Sequence, residues 1–381
     1  MRVIIVGGGI MGMSTALALV RSGHRVTLFD QGAIPNPMGS SVDQHRLIRH
    51  AYGPMTGYAR LIDSAEAAWG RMWEALDQRH LHPTGTLVLA RDDLSWAEST
   101  LAEMAEQGIS TAVLDRDALA SAYPWLDPSG VELAARVDSG GVLMAEAIIR
   151  GLARHLLMNG VTVNTHTPVI DVNPVRGAVT LEDGSTQRAD RVVVAAGPWV
   201  RDLVPSATGR VKPSRQVVAY LTPPERLRDA WASAPMVLDI HGEGGIYVVP
   251  PVAGSDLKVG DHSFSLKGHP GRDRTASVAE GEALFEACRG RLAGLDEYTL
   301  GPLKTCFYTV QKHEAFIVDA VDRAVLMTGF SGHGFKFGAL MGEIVAGLVT
   351  QRIAASEARA LAAGEVTSSD EIDRLTSLCL G

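Results

Sequence analysis

Cysteine is scarce in this chain and positive charge is in deficit, and each shortage removes a class of function. The three cysteines, Cys288, Cys306 and Cys379, are too few and too scattered for a disulfide framework, and no two stand at metal-ligand spacing. No metal is expected, and any chemically active cysteine acts alone. Lys and Arg total 35 against 43 Asp and Glu, a formal net charge of −8, so nucleic-acid binding through bulk electrostatics is not expected. No apolar run approaches the ~20 residues that span a bilayer. The first such run, Val3 to Val6, is too short for a signal-peptide core, so no membrane partner and a cytoplasmic location are expected. Repeats and low-complexity tracts are also missing. With 46% apolar and 20% charged residues, what remains is an ordinary folded chain, long enough for two to three units of ~100–200 residues.

The amino terminus carries the first positive signal. Arg2 to Val6 is a continuous apolar strand of the kind a parallel sheet buries on both faces. Gly7-Gly8-Gly9-Ile10-Met11-Gly12 follows, Ser14 to Arg21 has helical composition, and a second strand, Arg25 to Phe29, ends in Asp30. Gly7 permits the tight turn, Gly9 lets backbone N–H groups approach a pyrophosphate at the helix N-terminus, and Gly12 lets helix and strand pack closely. Asp30 is placed to accept from ribose hydroxyls. This motif presents an ADP half without distinguishing NAD from FAD. Residues 31–58, however, run through Pro35, Pro37, Gly39, Ser40 and Ser41 into a polar loop instead of a further βαβ unit, which favours FAD.

Further along, helices are expected over Ala59–Leu76, Ser95–Gln107, Ala145–Asn159 and Gly338–Thr350, with strands at Thr84–Leu89, Val161–Asn164 and Ala178–Leu181. Residues 110–137, with Pro124 and Pro128, read as irregular. Asp190 to Trp199 reads as a buried strand ending in Ala196 and Gly197, whose small size would let the backbone approach the cofactor. From Gln216 to Phe307 alternating strands suggest an antiparallel sheet. Ala324–Thr328 is a buried strand running into Gly329-Phe330-Ser331-Gly332-His333-Gly334-Phe335-Lys336, where Gly332 and Gly334 could aim backbone dipoles at an electron-rich ring.

Several charged residues sit in unusually apolar surroundings. Arg46 and Arg49 would share a face on a helical turn and point oppositely on a strand. Their neighbours Leu47, Ile48, Ala51 and Tyr52 are too apolar for a solvated face, and a guanidinium fork suits a carboxylate. Lys336, between Phe335 and Phe337, either snorkels from an aromatic patch or complements a carboxylate in a closed cleft. Lys258 lies in an apolar strand, where an ammonium is costly without a partner or water. Cys306 by its chemistry alone is an inert small hydrophobe, and His262 and His333 lack companions at metal-ligand spacing.

The blocks Arg46-x-x-Arg49-His50-Ala51-Tyr52-Gly53, Leu257-Lys258-x-Gly260-x-His262, Cys306-x-Tyr308 and Gly329–Lys336, together with Gly7–Gly12, resemble the monomeric sarcosine oxidase and N-methyltryptophan oxidase family of flavoproteins over nearly the whole chain. The resemblance implies an α/β plus α+β fold. A Rossmann-like FAD-binding domain would be assembled from residues 1–80, 140–215 and 310–381, with an interleaved antiparallel-sheet substrate domain from 81–139 and 216–309. It implies a monomer that oxidises an N-substituted α-amino acid, such as sarcosine or a related N-alkyl or cyclic amino acid, to an imine. Hydrolysis then gives an amine plus an aldehyde or keto acid, and O2 is reduced to H2O2. By resemblance Cys306 forms a thioether with the flavin, Lys258 assists oxygen, and Arg49 and Lys336 clamp the substrate carboxylate. Arg46, Tyr247, His262 and Tyr308 surround flavin or substrate. Two departures bear on the substrate: His45 stands where a small hydroxyl residue is expected, and the loop His241–Gly245 looks longer than in sarcosine-specific members. Two alternatives stay open, a dehydrogenase passing electrons to another acceptor and a flavin-bearing subunit with a silent cleft. The Arg49 and Lys336 pair speaks against the second.

Overall fold

The computed structural model describes residues 1–241 and 244–380. Its architecture follows from two sheets that sort their side chains by alternation. Six strands form the first, in the order Ile317–Val321, Ala324–Thr328, Arg191–Val194, Arg2–Val6, Arg25–Phe29 and Thr162–Asn164. All neighbours are parallel except the first pair. Successive residues of the central strand enter different cores. Val3 and Ile5 pack with helices Ile10–Arg21, Ala145–Met158 and Gly338–Val349, while Ile4 and Val6 face Val179 and Leu181 of a three-stranded antiparallel layer on the other side. A sheet covered on both faces needs strands that are apolar throughout, which is why these segments read as continuous runs.

Eight strands form the second sheet, in the order Thr299–Gln311, Val211–Thr222, Leu257–Asp261, Gly244–Val249, Met236–His241, Thr86–Ala90, Leu133–Val137 and Thr111–Val113. It is antiparallel except where Met236–His241 lies parallel to Thr86–Ala90. Leu87, Leu89, Leu221, Val237, Val248, Leu257 and Val259 bury one face against Trp125 and Trp231. The residues between them face the first sheet and build the site.

The fold is thus a Rossmann-like α/β layer joined to a mostly antiparallel sheet. Residues 110–137 are not irregular throughout: they hold strands Thr111–Val113 and Leu133–Val137 and the helix Arg116–Ala122, capped by Asp115, which accepts from the Ala118 amide at 2.8 Å. The nucleotide helix starts at Ile10, directly on Gly9, rather than at Ser14. Met236–His241 escapes sequence reading because Asp239 interrupts it, yet that carboxylate is buried against Arg91 at 3.0 Å. Among the described residues no helix is long and apolar enough to cross a membrane.

Helices Ile10–Arg21 and Gly338–Val349 touch backbone to backbone, since a Cβ on Gly342 would lie 2.5 Å from the Ser14 carbonyl carbon. Gly342→Ala should therefore destabilise the protein, because overpacking strain of about 1–3 kcal/mol outweighs a helix-propensity gain of up to ~1 kcal/mol. Gly70→Ala, in open space on the helix Thr56–Leu76, should instead gain up to ~1 kcal/mol. Urea unfolding midpoints moving in opposite directions would bear this out.

Candidate active site

The strand Arg2–Val6 lies where the first sheet reverses its order, with Arg25–Phe29 on one side and Arg191–Val194 on the other. In open α/β sheets a ligand crevice opens beyond the carboxyl end of such a strand. Gly7 sits there at φ +112°, and a Cβ on it would lie 2.2 Å from the Ala195 carbonyl oxygen. A Cβ on Gly12 would lie 2.0 Å from the Gly7 carbonyl oxygen, so Gly12 serves packing and stays off the cavity wall. Asp30 ends the second strand with its carboxylate fixed, accepting from the amides of Gly8 at 2.8 Å and Gly32 at 2.9 Å and from Asn36 Nδ2 at 2.8 Å. Gly7, Gly9, Asp30, Ser40, Ala196, Gly197, Gly332 and Gly334 line one cavity of about 380 Å³. A glycine-walled cleft at a helix N-terminus with a fixed acid beside it fits the ADP half of FAD.

A second cavity of about 490 Å³ adjoins the first, and Arg46, Tyr308, Gly332 and Phe335 line both. Its floor is the inner face of the eight-stranded sheet. Tyr220 pairs with Lys258, Tyr247 with Gly260, and Gln216 with Cys306 across neighbouring strands, and cross-strand partners share a face. Alternation then adds Lys304 and Tyr308 to that face. Tyr247 and Tyr308 hydrogen-bond to each other.

One pole of this cavity is organised by Asp43. Its carboxylate accepts from Arg46 and from the Tyr220 hydroxyl, receives Lys258 Nζ at 3.1 Å, and lies 3.7 Å from Lys304 Nζ. Burial would raise the Asp43 pKa, but Arg46, Lys258, the Tyr220 hydrogen bond and Lys304 outweigh it and hold the group well below the ordinary carboxylate range. Lys258 is 2% exposed and also donates to the His45 carbonyl at 2.9 Å. Burial lowers its pKa to about 8 against the opposing pull of Asp43. Arg46 donates to the Ser40 and His45 carbonyls, both at 2.9 Å, and its Nη2 lies 4.0 Å from Cys306 Sγ.

The other pole is cationic and, among the described residues, has no carboxylate in ion-pair contact. Arg46 lies on the short strand Arg46–Ile48, and Arg49, just beyond it, turns away to stack over Tyr52 at 4.5 Å and Trp96 at 5.9 Å. Neither a helical turn nor a strand spans the pair, since Arg49 lies outside the strand, and both side chains line this cavity. Arg49 Nη1 is buried with no hydrogen-bond partner among the described residues. Lys336 does not snorkel: it is 5% exposed, donates to the His333 carbonyl at 3.3 Å and lies 5.3 Å from the Tyr52 ring centre. Burial lowers the pKa of both cations, and Arg49 depresses Lys336 further. Burial, then Arg49 and Lys336, bring His262 down to about 4. Glu314 also lines this cavity, its pKa raised by burial against the pull of both cations.

The structure thus gathers Arg46, Arg49, Tyr247, Lys258, His262, Cys306, Tyr308 and Lys336 around one cavity. Sequence reasoning missed Asp43, Tyr220, Trp96 and Glu314, whose signal lies wholly in tertiary contacts. His45 is fully buried, with Nε2 3.1 Å from the Asp256 carbonyl. It serves the site through its backbone, and burial and Lys258 lower its pKa to about 3. The lengthening expected at 241–245 falls on Gly242 and Glu243, outside the described residues. His333 bridges Tyr52 and the Glu314 carbonyl. Among the described residues no group of three or more His, Cys, Asp or Glu could hold a metal ion.

A family model described as FAD dependent oxidoreductase matches residues 2–348. The chain is similar to a monomeric sarcosine oxidase of Bacillus sp. (strain B-0618), 29% identical over 362 residues and covering 91% of each chain. It is also similar to an N-methyl-L-tryptophan oxidase of Salmonella arizonae, 27% identical over 356 residues, 92% of this chain and 94% of the relative. In fold it is similar to NikD, an amino acid oxidase essential for nikkomycin biosynthesis, with a TM-score of 0.80 at 20% identity over 93% of this chain and 94% of that one. It is likewise similar to L-proline dehydrogenase from P. horikoshii, with a TM-score of 0.78 at 19% identity over 98% of each.

The His262 pKa makes stability depend on pH. A folded value of about 4 below the unfolded ~6.5 means that the unfolded chain binds the proton first, so stability is lost as pH falls from 6.5 towards 4. Between pH 7 and 5 this should cost about 1–2 kcal/mol. His262→Gln should reduce the slope in urea unfolding by that amount, with the part due to buried His45 and His333 remaining, and an unchanged slope would contradict the assignment.

Proposed function

Because the chain belongs to the FAD-dependent oxidoreductase family, we propose that it oxidises an N-substituted α-amino acid at the carbon beside nitrogen, acting as a cytoplasmic monomer with dioxygen as acceptor. The observation that carries the substrate class is the buried Arg49 and Lys336 pair, with Arg49 Nη1 unpartnered among the described residues. Desolvated cations are costly unless an anion joins them, and a guanidinium fork beside a point charge suits a carboxylate. Residues 1–80, 140–215 and 310–381 would form the cofactor domain, and 81–139 and 216–309 the substrate domain.

FAD would be held by Gly7, Gly9, Asp30, Ser40, Ala196, Gly197, Gly332 and Gly334, with Cys306 as its covalent attachment. When bound, FAD supplies a two-electron acceptor for a hydride equivalent. The chain's own work is positioning. Arg49 and Lys336 hold the carboxylate, which fixes the C–H bond beside nitrogen and removes an entropic part of the barrier. The same cations disfavour an ammonium, so the amine reacts in its neutral form. His262, neutral at pH 7, can accept a hydrogen bond from it. The imine product hydrolyses to an amine and an aldehyde or keto acid. Lys258 supplies positive charge where dioxygen accepts electrons on its way to hydrogen peroxide.

Anaerobic titration of the flavin spectrum with matched acid and amide substrates tests the carboxylate site. The amide should bind at least tenfold more weakly, since one charge-assisted bond contributes ~1.5–3 kcal/mol, and Arg49→Lys should erase much of the difference. Equal affinity would remove the amino-acid class. Lys258→Met should slow reoxidation by oxygen by about 10²–10³, with hydrogen peroxide as the product measured, and leave anaerobic reduction largely intact. Acid-precipitated holoenzyme should stay yellow, and Cys306→Ala should release the colour.

A further inference from the structure

We propose that Asp43 is the positioning carboxylate of this site: it holds the Lys258 ammonium and the Arg46 guanidinium side by side next to Cys306, and sets how far into alkaline solution Lys258 keeps its charge. This deepens the reading above and rests on Lys258 serving the electron acceptor.

An ammonium has three donors. Two on Lys258 are taken, by Asp43 Oδ2 at 3.1 Å and the His45 carbonyl at 2.9 Å, which leaves one for the cavity that Lys258 lines. The two fixed bonds set the direction of the third. Asp43 is itself fixed from two sides, because Tyr220, the cross-strand partner of Lys258, donates to Oδ1, and Arg46 donates to Oδ2. A 3%-exposed carboxylate in such a web is a rigid counter-charge.

The groups around Lys258 from the packed elements are Asp43, His45 and Arg46 on the connecting segment, Tyr220 and Tyr247 on the flanking strands, and Lys304 and Cys306 on the strand Thr299–Gln311. Asp43 is the acidic member of this set. Burial and the proximity of Arg46 act to discharge Lys258, and Asp43, through its charge and its hydrogen bond, opposes them ahead of a smaller contribution from Cys306. Dioxygen takes two electrons and two protons to become hydrogen peroxide, while Asp43 forms and breaks no covalent bond and keeps its charge throughout.

The test uses holoenzyme and two readouts: the visible spectrum of the oxidised flavin against pH without substrate, and stopped-flow reoxidation by oxygen against pH. In the unmodified protein both should show a midpoint near 8, where Lys258 loses its proton. Asp43→Asn should move that midpoint acidwards by about one to three units, the usual influence of one close opposite charge. Asp43→Glu should keep it near its original place, and this variant still decides the matter if the neutral one does not retain FAD. In Lys258→Met the midpoint should vanish, and adding Asp43→Asn to that background should leave the pH profile unchanged. A midpoint unmoved by Asp43→Asn, displaced in Asp43→Glu, or shifted by Asp43→Asn even without Lys258 would overturn the proposal. Unaltered reoxidation in Lys258→Met would instead overturn the assignment of Lys258, while the carboxylate titration with acid and amide pairs would stand on its own.

Discussion

Burying several cations in one cleft is the constraint on which the rest of the site depends. Removing an ammonium or guanidinium from water costs several kcal/mol unless an opposite charge and hydrogen bonds replace the solvent. Arg46, Lys258 and Lys304 share the single carboxylate of Asp43, while Arg49 and Lys336, among the described residues, have carbonyl and ring contacts, with Glu314 at longer range. The cleft is therefore divided into a compensated pole and an uncompensated one. A pole whose charge is already answered can hold geometry, and a pole whose charge is not answered can bind an anion.

The eight-stranded sheet makes this division possible through its period of two. On the strand Leu257–Asp261, Leu257 and Val259 enter the apolar core with Trp231, while Lys258 faces the cavity. A one-residue slip would exchange the two sets and place the ammonium among leucines. The site thus inherits its precision from register, and the long pairing of Val211–Thr222 with Thr299–Gln311 locks that register on the edge that carries Cys306 and Tyr308.

Much of this was legible in the chain, and the limit falls at a definite place. The strand, glycine turn, helix and terminal Asp30 are local and obey short-range rules, so their order could be read directly. Lys258-x-Gly260-x-His262 and Cys306-x-Tyr308 carry the alternation that puts each set on one face. Arg46 and Arg49 were ambiguous until the short strand Arg46–Ile48 separated them. Asp43 was illegible for a physical reason: beside Ser40, Ser41 and Gln44 it looks like a solvated loop acid, and its burial arises from Lys258 and Tyr220, 215 and 177 residues away in the chain. Proline at 124 and 128 hid the strand Leu133–Val137 in the same way, by marking as irregular a stretch whose order comes from pairing with Thr86–Ala90.

The separation of the poles also orders the events they serve. On the proposed reading, a substrate carboxylate arriving at Arg49 and Lys336 would change the charge there by one unit without taking the place of Asp43, which is bonded to Lys258, Arg46 and Tyr220. Coulomb interactions in a poorly polarisable interior reach across such a cleft, so an anion at the far pole favours the charged form of Lys258 slightly further. Binding of an acid would then favour the charged ammonium, whereas a neutral ligand in the same cavity would lack that coupling. The two cations that Glu314 answers only at longer range are in this sense part of the same arrangement as the three that share Asp43.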